Sequence, residues 1–277
     1  MHGLPDLIEW NEINFASSWI SDTDIFSCLD FTSLTGEESL EALEKMTSAS
    51  TYQGVNVASW CLYPHIAQKY SSFVTSFIKE KKMKLALVFG NFPKGQDLNT
   101  TLQEIQALQK IMSFDEVDLV FDRSPFLEKT PHKSDYLNFF EGLKKIVNVL
   151  HSNNQKLKVI FETGHFASHK NILSYLVQLA LWAKVDFLKT STGFHYPGAD
   201  LDSVELFCAL SSQLKIFSGI KPSGGISSLA LAKQYVSCFL SYYPKEYFNP
   251  NFFRIGTSKL VWEIQTKKNT LFTHSAY

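Results

Sequence analysis

Thirteen glycines and nine prolines are few for 277 residues, and charged residues make up only 19% of the chain. That composition argues against disorder, fibres and low-complexity linkers. A surplus of positive charge is missing as well. The 26 Lys+Arg stand against 27 Asp+Glu, a net charge of −1, which speaks against a nucleic-acid binder of the basic-patch type. The stretch from Met1 to Asn11 carries Asp6 and Glu9 but no Lys or Arg, so it lacks the basic start of a secretory signal. No apolar run approaches the roughly 18–20 residues needed to span a bilayer. The four cysteines, Cys28, Cys61, Cys208 and Cys238, stand far apart with no C-x-x-C pair. This removes support for metal-finger and thioredoxin readings, and the expectation is a reduced, cytoplasmic, soluble chain without a metal.

What the chain does hold is apolar mass: 45% hydrophobic residues, with 23 Phe and 11 Tyr. Short apolar runs predict strands at Cys28–Thr32, Val55–Tyr63, Lys84–Phe89, Glu116–Phe121, Leu157–Glu162, Val185–Lys189, Ile216–Lys221 and Phe252–Gly256. Few of them alternate, as suits parallel strands covered on both faces. Helical spacings lie between them. Thr35-x-x-Glu38 reads as a capping box before Leu40, Leu43 and Met46, and Thr101-x-x-Glu104 as another. Ile66, Tyr70, Phe73 and Phe77 share one helical face, and further helices are predicted around Leu137–Leu150, Ile172–Leu179, Val204–Leu210 and Leu229–Phe239. Eight strands alternating with helices predict an α/β chain folded as a single (β/α)8 TIM barrel. One domain covers residues 1–277, with a helical extension at about 1–24 and a mobile C-terminal tail at about 266–277. A doubly wound open sheet is the alternative, and neither a linker nor a repeat divides the chain.

In such a barrel, chemistry belongs at the carboxyl ends of the strands. Lys189 and Lys221 end consecutive predicted strands, each followed by small residues. Set side by side in an apolar mouth, burial and the neighbouring cation both disfavour protonation, and an uncharged lysine can attack a carbonyl to form a Schiff base. The plainer alternative is a pair of solvated strand ends snorkelling outward. Asp118, amid Glu116-Val-Asp-Leu-Val-Phe121, needs a partner if buried. It fits either a proton relay between those lysines or a structural ion pair. The turns Gly224-Gly225-Ile226-Ser227-Ser228 and Gly256-Thr257-Ser258 follow strands seven and eight, where backbone N–H groups at helix N-termini suit a phosphate. Capping alone would also explain them.

These strand-end segments together resemble deoxyribose-phosphate aldolase, a class I aldolase with a barrel fold. The matching stretches are Lys189-Thr-Ser-Thr-Gly193, Lys221-Pro-Ser-Gly-Gly225, Arg254-Ile-Gly-Thr-Ser258, Glu116-Val-Asp-Leu-Val-Phe121 and Val159-Ile-Phe-Glu-Thr-Gly164. Asp30-Phe-Thr-Ser-Leu34 and Cys61-Leu-Tyr-Pro64 resemble the family's first two strand motifs. The resemblance runs in the family's order from about residue 28 to 258. It implies that Lys189 is the Schiff-base lysine, Lys221 the lysine that lowers its pKa, and Asp118 an acid/base partner acting through water. It also implies that a terminal tyrosine, here Tyr277, enters the site to move a proton at the imine. A frayed terminus is the alternative for that residue.

The implied reaction is reversible cleavage of 2-deoxyribose 5-phosphate to glyceraldehyde 3-phosphate and acetaldehyde, making the chain an aldehyde-lyase of deoxyribonucleotide breakdown. No cofactor or metal is expected, nor any nucleic-acid or membrane partner, and Phe- and Tyr-rich helices leave room for a homodimer. Asp30, Thr32, Thr192, Gly193, Gly224, Gly225, Gly256, Ser258 and Lys259 are the expected substrate and phosphate contacts. Cys61 is expected to pack in its strand, and Glu162 to bond near the lysines rather than join His165 and His169 in a metal site. The departures fall where the family holds phosphate. Phe194 stands where one branch carries lysine and another phenylalanine, Ser227 where arginine is usual, Lys259 where serine is frequent, and Thr35 where asparagine is expected. Lys259 either replaces the missing cation, or the enzyme accepts unphosphorylated aldehydes. From another class, a non-catalytic sugar-phosphate-binding barrel is the rival.

Overall fold

The computed structural model describes residues 20–128 and 130–274, with side chains as far as Thr266. Eight parallel strands build the sheet: β1 Leu29–Thr32, β2 Ser59–Leu62, β3 Lys84–Phe89, β4 Glu116–Val120, β5 Lys156–Ile160, β6 Phe187–Lys189, β7 Gly219–Lys221 and β8 Ile255–Thr257. Their hydrogen-bonded order is β8-β1-β2-β3-β4-β5-β6-β7. Main-chain bonds from Ile220 N to Phe252 O, Arg254 N to Ile220 O and Gly256 N to Pro222 O join the two ends. The sheet therefore curves into the expected (β/α)8 barrel rather than an open doubly wound sheet.

The helices are α1 Asp22–Ser27, α2 Leu40–Ala49, α3 Pro64–Lys69, α4 Ser71–Lys81, α5 Leu98–Gln109, α6 Lys133–His151, α7 Lys170–Trp182, α8 Leu201–Leu214, α9 Leu229–Leu240 and α10 Lys259–His274. Their buried stripes, such as Leu143, Ile146 and Leu150 of α6 or Leu173, Leu176 and Val177 of α7, pack against outward strand residues such as Val117, Leu157 and Leu188. This is the larger of two cores. Among the described residues, no helix is long and apolar enough to cross a membrane.

Three local expectations need correction. The predicted strand Val55–Tyr63 divides into one arm of a small antiparallel hairpin, Thr51–Tyr52 with Val55–Asn56, and then β2. The run from Ile66 to Phe77 is two helices, broken at Tyr70 (φ −111°, ψ 31°). Neither capping box opens its helix. Ser39 caps α2 and Asp97 caps α5, each accepting from a backbone N–H three residues on. Glu38 instead reaches back to the Thr35 N–H at 2.7 Å, a reciprocal bond made in the preceding loop. Residues 266–274, expected in a tail, continue α10. The last three residues, Tyr277 among them, and residues 1–19 of the expected extension lie outside the described residues.

The barrel interior is layered in a way its inward residues dictate. Near the bottom the Phe187 ring lies against Gly219, where a Cβ would stand 2.3 Å from the ring, so only glycine fits. Charged side chains from β1, β4, β5, β6, β7 and the approach to β8 fill the middle. Leu34, Cys61, Ala86, Val88, Phe92, Val120 and Ile160 form an apolar wall towards the top.

Candidate active site

The middle layer gathers four cations and three carboxylates with almost no solvent contact. Asp118 Oδ2 lies 2.6 Å from Lys189 Nζ and 2.6 Å from Lys221 Nζ. Its Oδ1 stands 3.1 Å from the Nζ of Lys158, which also meets Asp30 at 2.8 Å and Glu116 at 2.5 Å. Lys221 Nζ further contacts Asp30 Oδ2 at 2.5 Å. Arg254 closes the set, with Nη1 on Asp30 Oδ1 at 2.5 Å and Nη2 on Glu116 Oε1 at 2.8 Å.

Register explains the assembly. Asp118 pairs with Lys158 across β4 and β5, and Lys189 with Lys221 across β6 and β7, so all four side chains enter the same interior. The two lysines that end β6 and β7 do face each other inside the barrel rather than snorkelling outward.

The environment separates the lysines. Burial works against the charge of Lys158, but Asp118, Asp30 and Glu116 outweigh it and raise its pKa well above the usual lysine value. Burial prevails at Lys221, helped by the charges of Lys158 and Lys189, and its pKa is lowered despite Asp118 and Asp30. Asp118 is itself buried, yet Lys158, Lys189 and Lys221 hold its carboxyl far below the ordinary carboxylate range. With one more cation than carboxylate in the layer, loss of a single lysine proton balances the charge. The arrangement can therefore present one uncharged amine beside an ionised aspartate, which is what attack on a carbonyl requires.

Asp30, expected among the substrate contacts, has both oxygens engaged by buried cations at 0% exposure and belongs to this layer. Thr32 donates its hydroxyl to the Asp30 carbonyl at 3.0 Å. Burial, with Asp118 next in effect, pushes the Cys61 thiol up to about 11, in keeping with its place in the apolar wall.

Glu162 does not contact the lysines. It sits in the left-handed region (φ 54°, ψ 59°), a strained conformation for glutamate. That turn aims its buried carboxylate at the loop after β6, where it accepts from the Thr192 hydroxyl at 2.6 Å and the Thr192 N–H at 3.2 Å. Thr192 thus anchors the loop that carries Gly193.

The two glycine turns come together over β7 and β8. Thr257 Oγ1 donates to the Ile226 carbonyl at 2.7 Å, and Ser223 bridges to Gly256. Gly224 and Gly225 have φ of +94° and +82°, which L side chains rarely adopt. Gly225, Ser227, Ser258 and Lys259 are exposed beside the N-termini of α9 and α10, while Gly256 is buried beneath them. Phe194 is exposed and meets Phe92 edge-on at 5.5 Å, extending the apolar wall. Among the described residues, no group of three or more His, Cys, Asp or Glu could hold a metal ion.

Lys158, Glu116 and Arg254 were not singled out from the sequence as site residues. A signal existed: Lys158 is a charge within the otherwise apolar run Leu157–Phe161, and Glu116, two residues before Asp118 on one strand, must share its inward face.

Fold and site together define a (β/α)8 barrel with a buried lysine–aspartate cluster at its strand ends. Comparison with known proteins agrees with the motif resemblance to deoxyribose-phosphate aldolases. A Caenorhabditis elegans protein provisionally named a deoxyribose-phosphate aldolase is 28% identical over 254 residues, covering 86% of this chain and 78% of its own length. The deoxyribose phosphate aldolase of Aeropyrum pernix, a tetramer, is 26% identical with a TM-score of 0.68, covering 90% of this chain and 93% of that one. A Toxoplasma gondii structure provisionally given the same name superposes with a TM-score of 0.75 at 18% identity, over 89% of this chain and 93% of that one, a likeness of fold. No family model matches the chain.

Proposed function

We propose that the protein is a class I aldolase cleaving 2-deoxyribose 5-phosphate to glyceraldehyde 3-phosphate and acetaldehyde, reversibly, through an imine on Lys189. The observation that carries this reading is the single Asp118 oxygen lying 2.6 Å from both Lys189 and Lys221 in a water-poor interior. The Lys189 amine adds to the C1 carbonyl of the open-chain sugar and water leaves, forming a protonated imine. The C3 hydroxyl then gives up its proton, the C2–C3 bond breaks, and its electron pair passes into the imine as an enamine. Glyceraldehyde 3-phosphate departs. Protonation at C2 and hydrolysis release acetaldehyde and restore the amine. The imine is the electron sink, and Asp118 with Lys221 relays the protons.

In this reading Gly193, Gly224, Gly225, Ser258 and Lys259 line the phosphate end, and Lys259 supplies the charge that Ser227 does not. A second reading rests on exposed Ser227 and the Phe194–Phe92 contact: a mouth with less positive charge and more apolar surface suits unphosphorylated aldehydes. Cleavage assays on deoxyribose 5-phosphate and deoxyribose decide between them. Charged hydrogen bonds contribute about 1.5–3 kcal/mol each, so the first reading expects the phosphate to raise kcat/KM by at least about tenfold. Equal values for both sugars favour the second reading, and no cleavage of either favours the non-catalytic binder.

Tyr277, by its resemblance to the family's terminal tyrosine, is assigned the proton at C2. Tyr277→Phe is expected to lower kcat by about tenfold or more with KM nearly kept. Unchanged kcat would remove it from the mechanism.

A further inference from the structure

A second polar cluster lies on the loops that follow β4, β5 and β6, the last of which packs against the Gly224 turn. Its centre is Arg123, 6% exposed. Nη2 of Arg123 donates to the Lys94 carbonyl at 3.0 Å and stands 3.5 Å from the Pro93 carbonyl. Nε and Nη1 are buried without a hydrogen-bond partner. Among the described residues, no carboxylate pairs with this guanidinium: Glu162 and Asp122 act on it only from beyond ion-pair distance, and Glu162 has turned its oxygens to Thr192.

Two histidines from the neighbouring loops complete the cluster. His165 and His195 stand with ring centroids 5.1 Å apart, and His195 Nε2 is also buried without a partner. Burial and then the Arg123 charge lower the His165 pKa, so the guanidinium acts electrostatically on that ring.

A buried cation with unpaired donors is costly, and the cost is relieved when an anion meets it. Arg and imidazole N–H groups make short, charge-assisted bonds to phosphate or carboxylate oxygens. The loops at the carboxyl ends of barrel strands are where ligands enter. We propose that Arg123, His165 and His195 form an oxyanion subsite, separate from the glycine turns, that takes the phosphate or carboxylate of a ligand in the barrel mouth.

Inorganic phosphate titrated into the wild-type protein, with the imidazole signals of His165 and His195 followed by NMR, tests this. Both signals are expected to move together and saturate. Arg123→Gln is expected to weaken phosphate binding at this site by about tenfold or more, and Arg123→Lys to recover part of it. Repetition with deoxyribose 5-phosphate present identifies the source of the anion. Displacement of inorganic phosphate means the sugar's own phosphate uses the subsite, and persistence means a separate acid does; both support the site. Histidine signals that stay still in the folded wild type, or an Arg123→Gln affinity equal to wild type, would overturn it. Trapping acetaldehyde with borohydride on the same wild-type sample keeps the two ideas apart: a failed trap with moving histidines strikes only the aldolase reading, and the reverse strikes only the subsite.

Discussion

Borohydride added to the protein with acetaldehyde at neutral pH is expected to leave an ethyl group on Lys189, found by intact mass and peptide mapping. Reduction locks the imine as a stable secondary amine. Three lysines share the barrel interior, so the position of the adduct matters more than its presence. Lys158 is held by three carboxylates that keep its proton, and Lys221 is wholly enclosed between Asp30 and Asp118. Among the described residues, Lys189 has only Asp118 as an ionic partner, and it retains slight access at 2% exposure. Lys189→Ala is expected to abolish the adduct and to lower turnover by at least about 10³-fold, because a covalent route has no partial substitute. An adduct that persists in that variant, on Lys221 or Lys158, would show the roles to be exchanged. No adduct on the folded wild-type protein would leave the sugar-phosphate binder as the better account.

The largest stability effect is expected at Arg254. Its guanidinium bonds Asp30 and Glu116, and Nε donates to the Pro250 carbonyl, all away from water. Arg254→Met removes the positive charge and leaves both carboxylates leaning on Lys158 and Lys221 alone. Breaking a buried ion pair by deleting one partner costs about 3–5 kcal/mol. For a chain of this size that is roughly 6–20 °C in Tm, read by thermal denaturation. A fall of under about 1 kcal/mol would show that the remaining cations compensate.

The same layer sets the acid limit of the fold. Burial alone would raise the pKa of Asp30, Glu116 and Asp118, but the surrounding cations lower all three. A carboxylate with a depressed folded pKa contributes its stability in full above its unfolded value, about 4, and loses it as pH falls through the folded value. Wild-type Tm is therefore expected to fall below about pH 4.

Much of this was open to a reading of the amino-acid order. Lys84–Phe89 was legible to the residue because its apolar run is flanked by Met83-Lys84 and Gly90. The three-residue strands β6, β7 and β8 were read as starting two to three residues early, since apolar runs continue into segments that leave the sheet. The capping boxes misled because Ser39 and Asp97, nearer the first helical turn, won the competition for the orphan N–H groups.

Lys189, Lys221 and Asp118 stood out because a charged residue at the end of, or inside, an apolar strand is conspicuous. Lys158 was equally inward but lay within a run read only as a strand. Arg254 was quoted as part of a motif, yet its bonds to Asp30 and Glu116, 224 and 138 residues away, had no local trace. The Arg123 cluster was invisible for the same reason: its members sit on three separate loops.

The amino-acid order by itself determined the alternation of short apolar strands with amphipathic helices, the barrel that alternation implies, and the residue types at each strand end. Those depend on periodicities of two and 3.6, which are properties of neighbouring residues along one segment. Only the tertiary structure decided which charges face one another. Closing the ring of strands brought Asp30 beneath Arg254 and set Asp118 between two lysines. The balance of burial against three carboxylates then kept the proton on Lys158 and loosened it at Lys221. Coulomb energies in a buried layer depend on distances of a few ångströms, and those are fixed only when the register of every strand is fixed.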